Sequence, residues 1–268
     1  MIREITIGQY YPADSVIHRL DPRVKIIATL LFIVSLFMFD SFAGYIVVAA
    51  FLAACIVMSK VPFSYMVKGL KAIVMLLMLT VIINMFMTPG EPMVSLWKLT
   101  ITKEGFRAAV FMGLRLMLLI IGSSVMTLTT TPNNLTDALE SLLKPLKKIN
   151  VPVHEIAMMM SIALSFIPIL IEETDKIMKA QMARGADFEN KNIVKRVKSY
   201  IPILVPLFIS AFRRAGDLAM AMEARCYHGG EGRTKMKPLK YESRDYIAFV
   251  ICILYMVAVI MISKLIYL

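Results

Sequence analysis

The sequence predicts an all-α integral membrane protein, with about five transmembrane helices and three cytoplasmic or interfacial helices, the last two of them long. Three observations carry this. Of the 268 residues, 58% are hydrophobic and only 18% are charged, where soluble domains average about 45–50% and about 25%. The mean hydropathy is +0.70, and a soluble domain of this length has too little interior to hide so much apolar surface. Apolar runs approaching the roughly 20 residues needed to cross a bilayer recur along the chain. The formal net charge of +11 and the pI near 9.6 then fit basic cytoplasmic loops better than nucleic-acid binding. Cys55, Cys226 and Cys252 are an odd, widely spaced set, which supplies neither a disulfide framework nor a zinc site. Together these readings exclude a soluble enzyme, a secreted disulfide scaffold and a disordered tail.

The opening stretch Met1–Lys25 is polar and punctuated by Pro12, Asp14, Ser15, His18, Asp21, Pro22 and Arg23. It shows neither the charged leader nor the small-residue cleavage site of a signal peptide, and is expected to stay in the mature protein. Spans are expected at Ile26–Phe39, Phe42–Ser59, Ala72–Met87, Gly105–Thr130 and Tyr246–Ser263. The first is short and borrows Val24 and Lys25, and a tight turn at Asp40–Ser41 joins it to the second. The loop before the third span carries Lys60, Lys68 and Lys71 without an acid. The opposite side has Asp40 in one loop and Glu91, Lys98, Lys103 and Glu104 in the other. Short basic loops stay cytoplasmic, which places the N-terminus inside and, after five spans, the C-terminus outside a prokaryotic cytoplasmic membrane. The chain thus divides into residues 1–130, with the N-terminal segment and four spans, a cytoplasmic region 131–243, and a last span in 244–268.

Between Thr131 and Arg244 stand 18 Lys and Arg against 12 Asp and Glu, interrupted by the apolar runs Ile156–Ile171 and Ile201–Phe212. Three helices fit this pattern. Thr131-Pro132-Asn133-Asn134 is a capping signal for the first, which runs to about Lys148 with Leu135, Leu139, Leu142, Leu143 and Leu146 on one face. The second is expected from about Val153 to Ala186 and the third from about Val197 to Tyr227. These two echo each other. Ser165-Phe166-Ile167-Pro168-Ile169-Leu170 recurs as Ser199-Tyr200-Ile201-Pro202-Ile203-Leu204, and Gln181-Met182-Ala183-Arg184-Gly185 resembles Met222-Glu223-Ala224-Arg225-Cys226. Both Ala-Arg triplets close a long helix, with Gly185 after one and His228-Gly229-Gly230 after the other.

An Arg at a helix C-terminus sits well against the macrodipole, which suffices for either triplet alone. Two such sites, each with small neighbours, point further. A planar guanidinium pairs bidentately with a carboxylate, which suits a knob entering an acidic groove. Two prongs imply two grooves, hence a dimeric or pseudo-dimeric partner.

With those residues in view, the sequence resembles the transmembrane T component of energy-coupling-factor transporters, the ABC-type vitamin and micronutrient importers. Three features carry the likeness: the opening Asp14-Ser15 … His18-Arg19-Leu20-Asp21-Pro22-Arg23-Val24-Lys25, and the triplets Ala183-Arg184-Gly185 and Ala224-Arg225-Cys226. The resemblance spans essentially the whole chain. It implies that the two long coupling helices cross in an X, and that Arg184 and Arg225 dock into grooves on two cytoplasmic ATP-binding subunits. Their unequal contexts hint that these form a heterodimer. It implies further that the helices hold a membrane-embedded, substrate-binding S component, and that the chain neither binds nor hydrolyses ATP. No cofactor is expected, and specificity for the vitamin or ion is expected to reside in the S component. Met158, Met159, Met160, Met178, Met182, Met220 and Met222 suit a docking surface for it, because unbranched, polarizable Met adapts to a partner; ordinary helix packing in lipid explains any one of them.

The remaining signals are weaker. Gly229-Gly230-Glu231-Gly232-Arg233-Thr234-Lys235 has the wrong order for a phosphate loop and follows a helix, so it is read as a connection. Arg107 is placed to snorkel near the outer end of the fourth span. Arg115 is deeper and serves either a structural pair or a function, with a backbone carbonyl or a loop acid such as Asp21 as its partner. His18, His154 and His228 lack a second ligand at helical spacing. Glu172, Glu173 and Asp175, followed by Lys176 and Lys179, read as a solvated face. Lys191, Lys195, Arg196 and Lys198 read as an anchor to anionic headgroups. The competing class, a self-contained carrier or channel, would need polar residues inside the spans, of which there are few; a membrane enzyme lacks any acid, base, nucleophile or metal grouping.

Overall fold

The computed structural model describes residues 10–39, 41–89, 91–96, 99–188, 192–230 and 235–267. Asp40, Lys98, Lys191 and residues 231–234 lie outside them, as do the side chains of Lys68, Lys71, Lys195 and Arg196. Two compact units emerge, Gly8–Ala138 with Leu239–Leu268, and Leu139–Pro238.

In the first unit, α1 (Pro22–Leu36) starts where the Asp21 carboxylate accepts the Arg23 amide at 2.8 Å, with Pro22 in the first turn. It stops before the expected Phe39 and has only 15 residues, about 22 Å at 1.5 Å per residue. That is short of a hydrocarbon core of about 30 Å. α2 (Phe42–Ser59) has the expected bounds. Ser41 caps it, and Lys60 ends it in the left-handed region at φ +56°. α3 (Phe63–Met87) follows almost at once, which corrects the long Lys-rich loop: Lys68 and Lys71 lie within α3, since Lys is a good helix former. Outside the helices, β1 (Pro92–Leu96) pairs antiparallel with β2 (Leu99–Thr102), Leu96 facing Leu99. The sequence reading had a plain loop there. Thr102 then caps α4 (Lys103–Thr129) by accepting the Gly105 amide at 3.0 Å.

α4 packs on α1, α2 and α3, while α8 (Ser243–Tyr267) packs on α1 and α2. The core they share includes Phe32, Leu36, Val48, Leu52, Val125, Leu128, Tyr255 and Val259. At Gly122 a Cβ would collide with the Phe32 ring, so the missing side chain lets α1 and α4 approach, as small residues do between membrane helices. The Ser35 hydroxyl, 2.6 Å from the Tyr255 hydroxyl, gives both polar groups a partner inside that apolar core.

α5 (Pro132–Leu143) begins where Thr131 accepts the Asn134 amide at 3.3 Å. It is shorter than expected, because Pro145 converts the next stretch into a 3-10 turn over Lys144–Ile149. The second unit is then dominated by α6 (Val153–Ala183) and α7 (Ile193–Ala224), which pack together. Asn192 caps α7 by accepting the Val194 amide, starting it before the expected Val197. Among the described residues, α2, α4, α6 and Ser243–Lys264 of α8 are long and apolar enough to cross a membrane. α6, expected at the cytoplasmic side, is thus itself of spanning length and composition.

Candidate functional site

Both Ala-Arg triplets end their helices with one and the same cap. Ala183 is the last residue of α6, Arg184 the cap, and Gly185 turns left-handed at φ +90°. The Gly185 amide donates to Met182 at 2.9 Å and the Ala186 amide to Gln181 at 3.0 Å. On α7, Ala224, Arg225 and Cys226 repeat this arrangement. Cys226 has φ +53°, its amide donates to Glu223 at 2.8 Å, and the Tyr227 amide donates to Met222 at 3.0 Å. This is the Schellman pattern, in which two amides beyond the helix satisfy otherwise orphaned carbonyls. Glycine takes the left-handed turn freely, whereas a non-glycine residue rarely does. All six residues are exposed, so each guanidinium stands at the negative end of a long helix, open to a partner.

Between these ends α6 and α7 run antiparallel. Arg214 donates to Glu173 at 2.8 Å, and the Ser210 hydroxyl donates to the same carboxylate. Further along α6, Gln181 donates to the Pro202 carbonyl at 3.5 Å. That carbonyl is available because Pro206, four residues on, has no N–H to close the helical bond. Glu173 is therefore not part of the solvated charged face expected of it: it points across at the partner helix. The signal was present in the internal repeat, whose spacing between Arg184 and Arg225 also separates Glu173 from Arg214, but a repeat does not announce that its equivalent positions touch.

The segment beyond Arg225 is tied back. The His228 ring donates to the Cys226 carbonyl at 2.9 Å. Glu140 accepts from the His154 ring at 2.9 Å and pairs with Lys235 at 2.6 Å, and a Cβ on Gly230 would collide with the His154 ring. Burial raises the Glu140 carboxyl pKa, but the bonds from Lys235 and His154 outweigh it and hold the group below the usual glutamate value. Beyond Arg184 the tie is aromatic, with the Phe188 ring 5.6 Å from Tyr200.

The methionines do not gather into one patch. Met158, Met159 and Met160 sit near the start of α6, about 27 Å along the helix from Met178. Met159, Met160, Met182 and Met220 are exposed, and Met158, Met178 and Met222 are half-buried. A larger apolar surface lies on α7, where Ile201, Val205, Phe208 and Phe212 are all exposed while Ile203 is buried. The sequence had marked this run as apolar without singling out that face.

The N-terminal motif is structural glue for the first unit. Asp245 accepts from the amides of Asp21 and Glu242, each at 2.8 Å, and Arg23 lies 3.9 Å over the Tyr241 ring. Lys25 donates to the Thr129 carbonyl at 2.8 Å, at the C-terminus of α4. His18 donates to the Tyr11 carbonyl at 3.0 Å and accepts from Ser15 at 2.7 Å; burial lowers its pKa, in keeping with that neutral form. Arg115 donates to the Phe39 backbone carbonyl at 3.1 Å, just past the end of α1, and lies 5.3 Å from the Phe37 ring. Arg107 lies 5.3 Å from the Phe111 ring. Among the described residues no group of three or more His, Cys, Asp or Glu could hold a metal.

Comparison with known proteins follows the same outline. Residues 13–236 match the family model for CbiQ, cobalt transport protein. The chain is 58% identical to a protein of Clostridium kluyveri over 98% of both chains, and 57% identical to one of Thermosediminibacter oceani over 93% of this chain and 94% of that one. It is 45% identical to one of Lactococcus lactis subsp. cremoris over 98% and 99%. Each of the three is named energy-coupling factor transporter transmembrane protein EcfT.

Proposed function

The chain belongs to the energy-coupling-factor transporter transmembrane family, EcfT, and from that premise we propose that it is the subunit passing ATP-driven motion to a substrate-binding S component. As a family member it is a multi-pass membrane subunit of a multi-component transporter. In the proposed mechanism two cytoplasmic ATP-binding subunits, a heterodimer, each present an acidic groove. Arg184 enters one and Arg225 the other, each pairing bidentately with a carboxylate. The small neighbours Ala183, Gly185 and Ala224 let a groove wall come close. ATP-driven closure of the ATPases moves the two helix ends, and because α6 and α7 are packed together the motion passes along both. The apolar face of α7, with Met159, Met160 and Met220, holds the S component and reorients it to release its cargo inward. The N-terminus and the Arg-bearing ends are cytoplasmic in this reading and the C-terminus is outside. A vitamin or other micronutrient is the cargo class, chosen by the S component.

The observation that most supports this reading is the identical capping of the two exposed Arg ends. The left-handed cap is a common way to end a helix; what the two ends share beyond it is an exposed Arg at the cap position, preceded by Ala, on each of two long helices packed together. Affinity purification from membranes in mild detergent, with mass spectrometry of the retained proteins, tests it. Two ATP-binding proteins and a small hydrophobic protein are expected with the unaltered chain. Arg184→Glu with Arg225→Glu should reduce ATPase recovery at least tenfold. Unchanged recovery in the double variant overturns the docking role, and a chain repeatedly recovered without any ATPase returns the question to a self-contained carrier.

A further inference from the structure

Glu173 and Arg214 occupy equivalent positions in the two repeats, and each stands eleven residues before its Arg, Arg184 or Arg225. Because α6 and α7 run antiparallel here, their ion pair lies midway between the two Arg ends, on the local two-fold that relates the arms. Each arm extends about 16 Å from it at 1.5 Å per residue. The pair is half-buried, with 26% of the Glu173 and 40% of the Arg214 side chain exposed. Ser210, one turn before Arg214, donates to the same carboxylate. One carboxylate gripped by two donors on a single face of the opposing helix fixes the two helices in register, along the axis as well as across it. Apolar contacts tolerate sliding and the exposed Gln181–Pro202 hydrogen bond is long at 3.5 Å, whereas a directional ion pair with a second donor resists it.

We infer that Glu173 and Arg214 form a fulcrum pin, a pair of positioning residues that holds the crossing point fixed so that displacement of one Arg end is matched by the other. This rests on the coupling role proposed above and adds a specific requirement to it: the pin matters for concerted motion and not for ATPase docking, because neither residue reaches the Arg caps.

The test uses the chain assembled with its two ATP-binding subunits. Ala180 and Ala221, exposed and equivalent in the two arms, are replaced by a ketone-bearing amino acid carrying a spin label, which leaves the native cysteines in place. They lie about 20 Å apart along the helix axes, within range of pulsed dipolar spectroscopy. In the unaltered chain, ATP with magnesium should move a narrow inter-label distance distribution to a second narrow one. Glu173→Arg or Arg214→Glu should leave ATPase recovery within twofold, broaden the distribution at least twofold and abolish the ATP-dependent shift. The milder Glu173→Gln should do so in part. The exchanged pair, Glu173→Arg with Arg214→Glu, should restore the narrow distribution and its shift. An unchanged shift in the single variants, or an exchanged pair no better than either single, overturns the pin. Loss of ATPase recovery in the single variants assigns the pair to assembly and overturns it too. Failure of the unaltered chain to retain ATPases refutes the coupling role itself, a separate outcome.

Discussion

The two arms end alike and are anchored differently. Beyond Arg184 the chain turns through Gly185 and is held by an aromatic contact between Phe188 and Tyr200. Beyond Arg225 it turns through Cys226 and is held by charge, with Glu140 gripped by His154 and Lys235. The difference teaches that a common geometry at the tip does not require a common support behind it. It also makes the arms respond to different variables: an ionic anchor answers to pH and salt, and an aromatic one to neither within the ordinary range.

Removing the ionic anchor should have the largest effect. Glu140→Ala should raise amide hydrogen exchange at Gly229, Gly230 and Lys235–Lys237 about tenfold, equivalent to about 1.4 kcal/mol, and leave residues 184–188 unchanged. Faster exchange at both arms would mean that the supports are not independent. The same anchor carries a pH dependence of definite sign. Glu140 is held below its usual pKa, so the folded chain binds fewer protons there than the unfolded chain. Its contribution is therefore present above about pH 4.3, the ordinary glutamate value, and is lost as pH falls through the lowered folded value. Protection relative to the intrinsic exchange rate at each pH should fall through that range at Gly229, Gly230 and Lys235–Lys237, and not at 184–188.

Next in size, Phe188→Ala should loosen the Arg184 arm by about 0.5–1.5 kcal/mol, with no dependence on salt. An effect that shrinks as salt rises would contradict an aromatic anchor. Of similar size, Gly185→Ala should cost about 1 kcal/mol in thermal unfolding of the solubilised chain, because nothing lies within 4 Å of an added Cβ and the cost is backbone alone. The smallest change should come from Cys226→Gly, which relieves a left-handed non-glycine residue and should stabilise by a few tenths of a kcal/mol. If that variant destabilises instead, the Cys226 side chain makes a contact that outweighs its backbone conformation.

What could be read from the chain, and what could not, follows from the range of the forces involved. The Arg ends were legible to within a turn, because stop signals are local: Gly185 ends α6 at Ala183 rather than Ala186, whereas α7 ends at Ala224 rather than Tyr227 because Cys226 takes the left-handed turn ahead of His228-Gly229-Gly230. The bounds of α2 were legible for the same reason, since Ser41 caps one end and an unbroken apolar run supplies the body. Lys68 and Lys71 misled, because a boundary drawn by hydropathy ends where charge begins, whereas a helix continues through Lys. The β1–β2 hairpin is too short to rise above its neighbours. Glu173 misled more usefully, for it was grouped with Glu172 and Asp175, whose i,i+4 lysines marked a solvated face, while tertiary packing gave it Arg214. Arg115 had two classes of partner open, and only the fold could choose the Phe39 carbonyl. The Met residues were identified as a type, yet a helix distributes them along its length, and which of them share a surface is decided by packing.

The prolines of the two long helices have a mechanical consequence. Pro168 precedes Glu173 on α6, and Pro202 and Pro206 precede Arg214 on α7. Every missing rung of the backbone ladder therefore falls on the side of the ion pair away from the Arg tip. Between the pair and each tip the helix contains no proline, with Gly216 as the one glycine in that half of α7, so the backbone ladder is complete there and the missing rungs fall in the halves that lead away. A load applied at either tip would meet an unbroken ladder as far as the ion pair and bend the rod more readily beyond it.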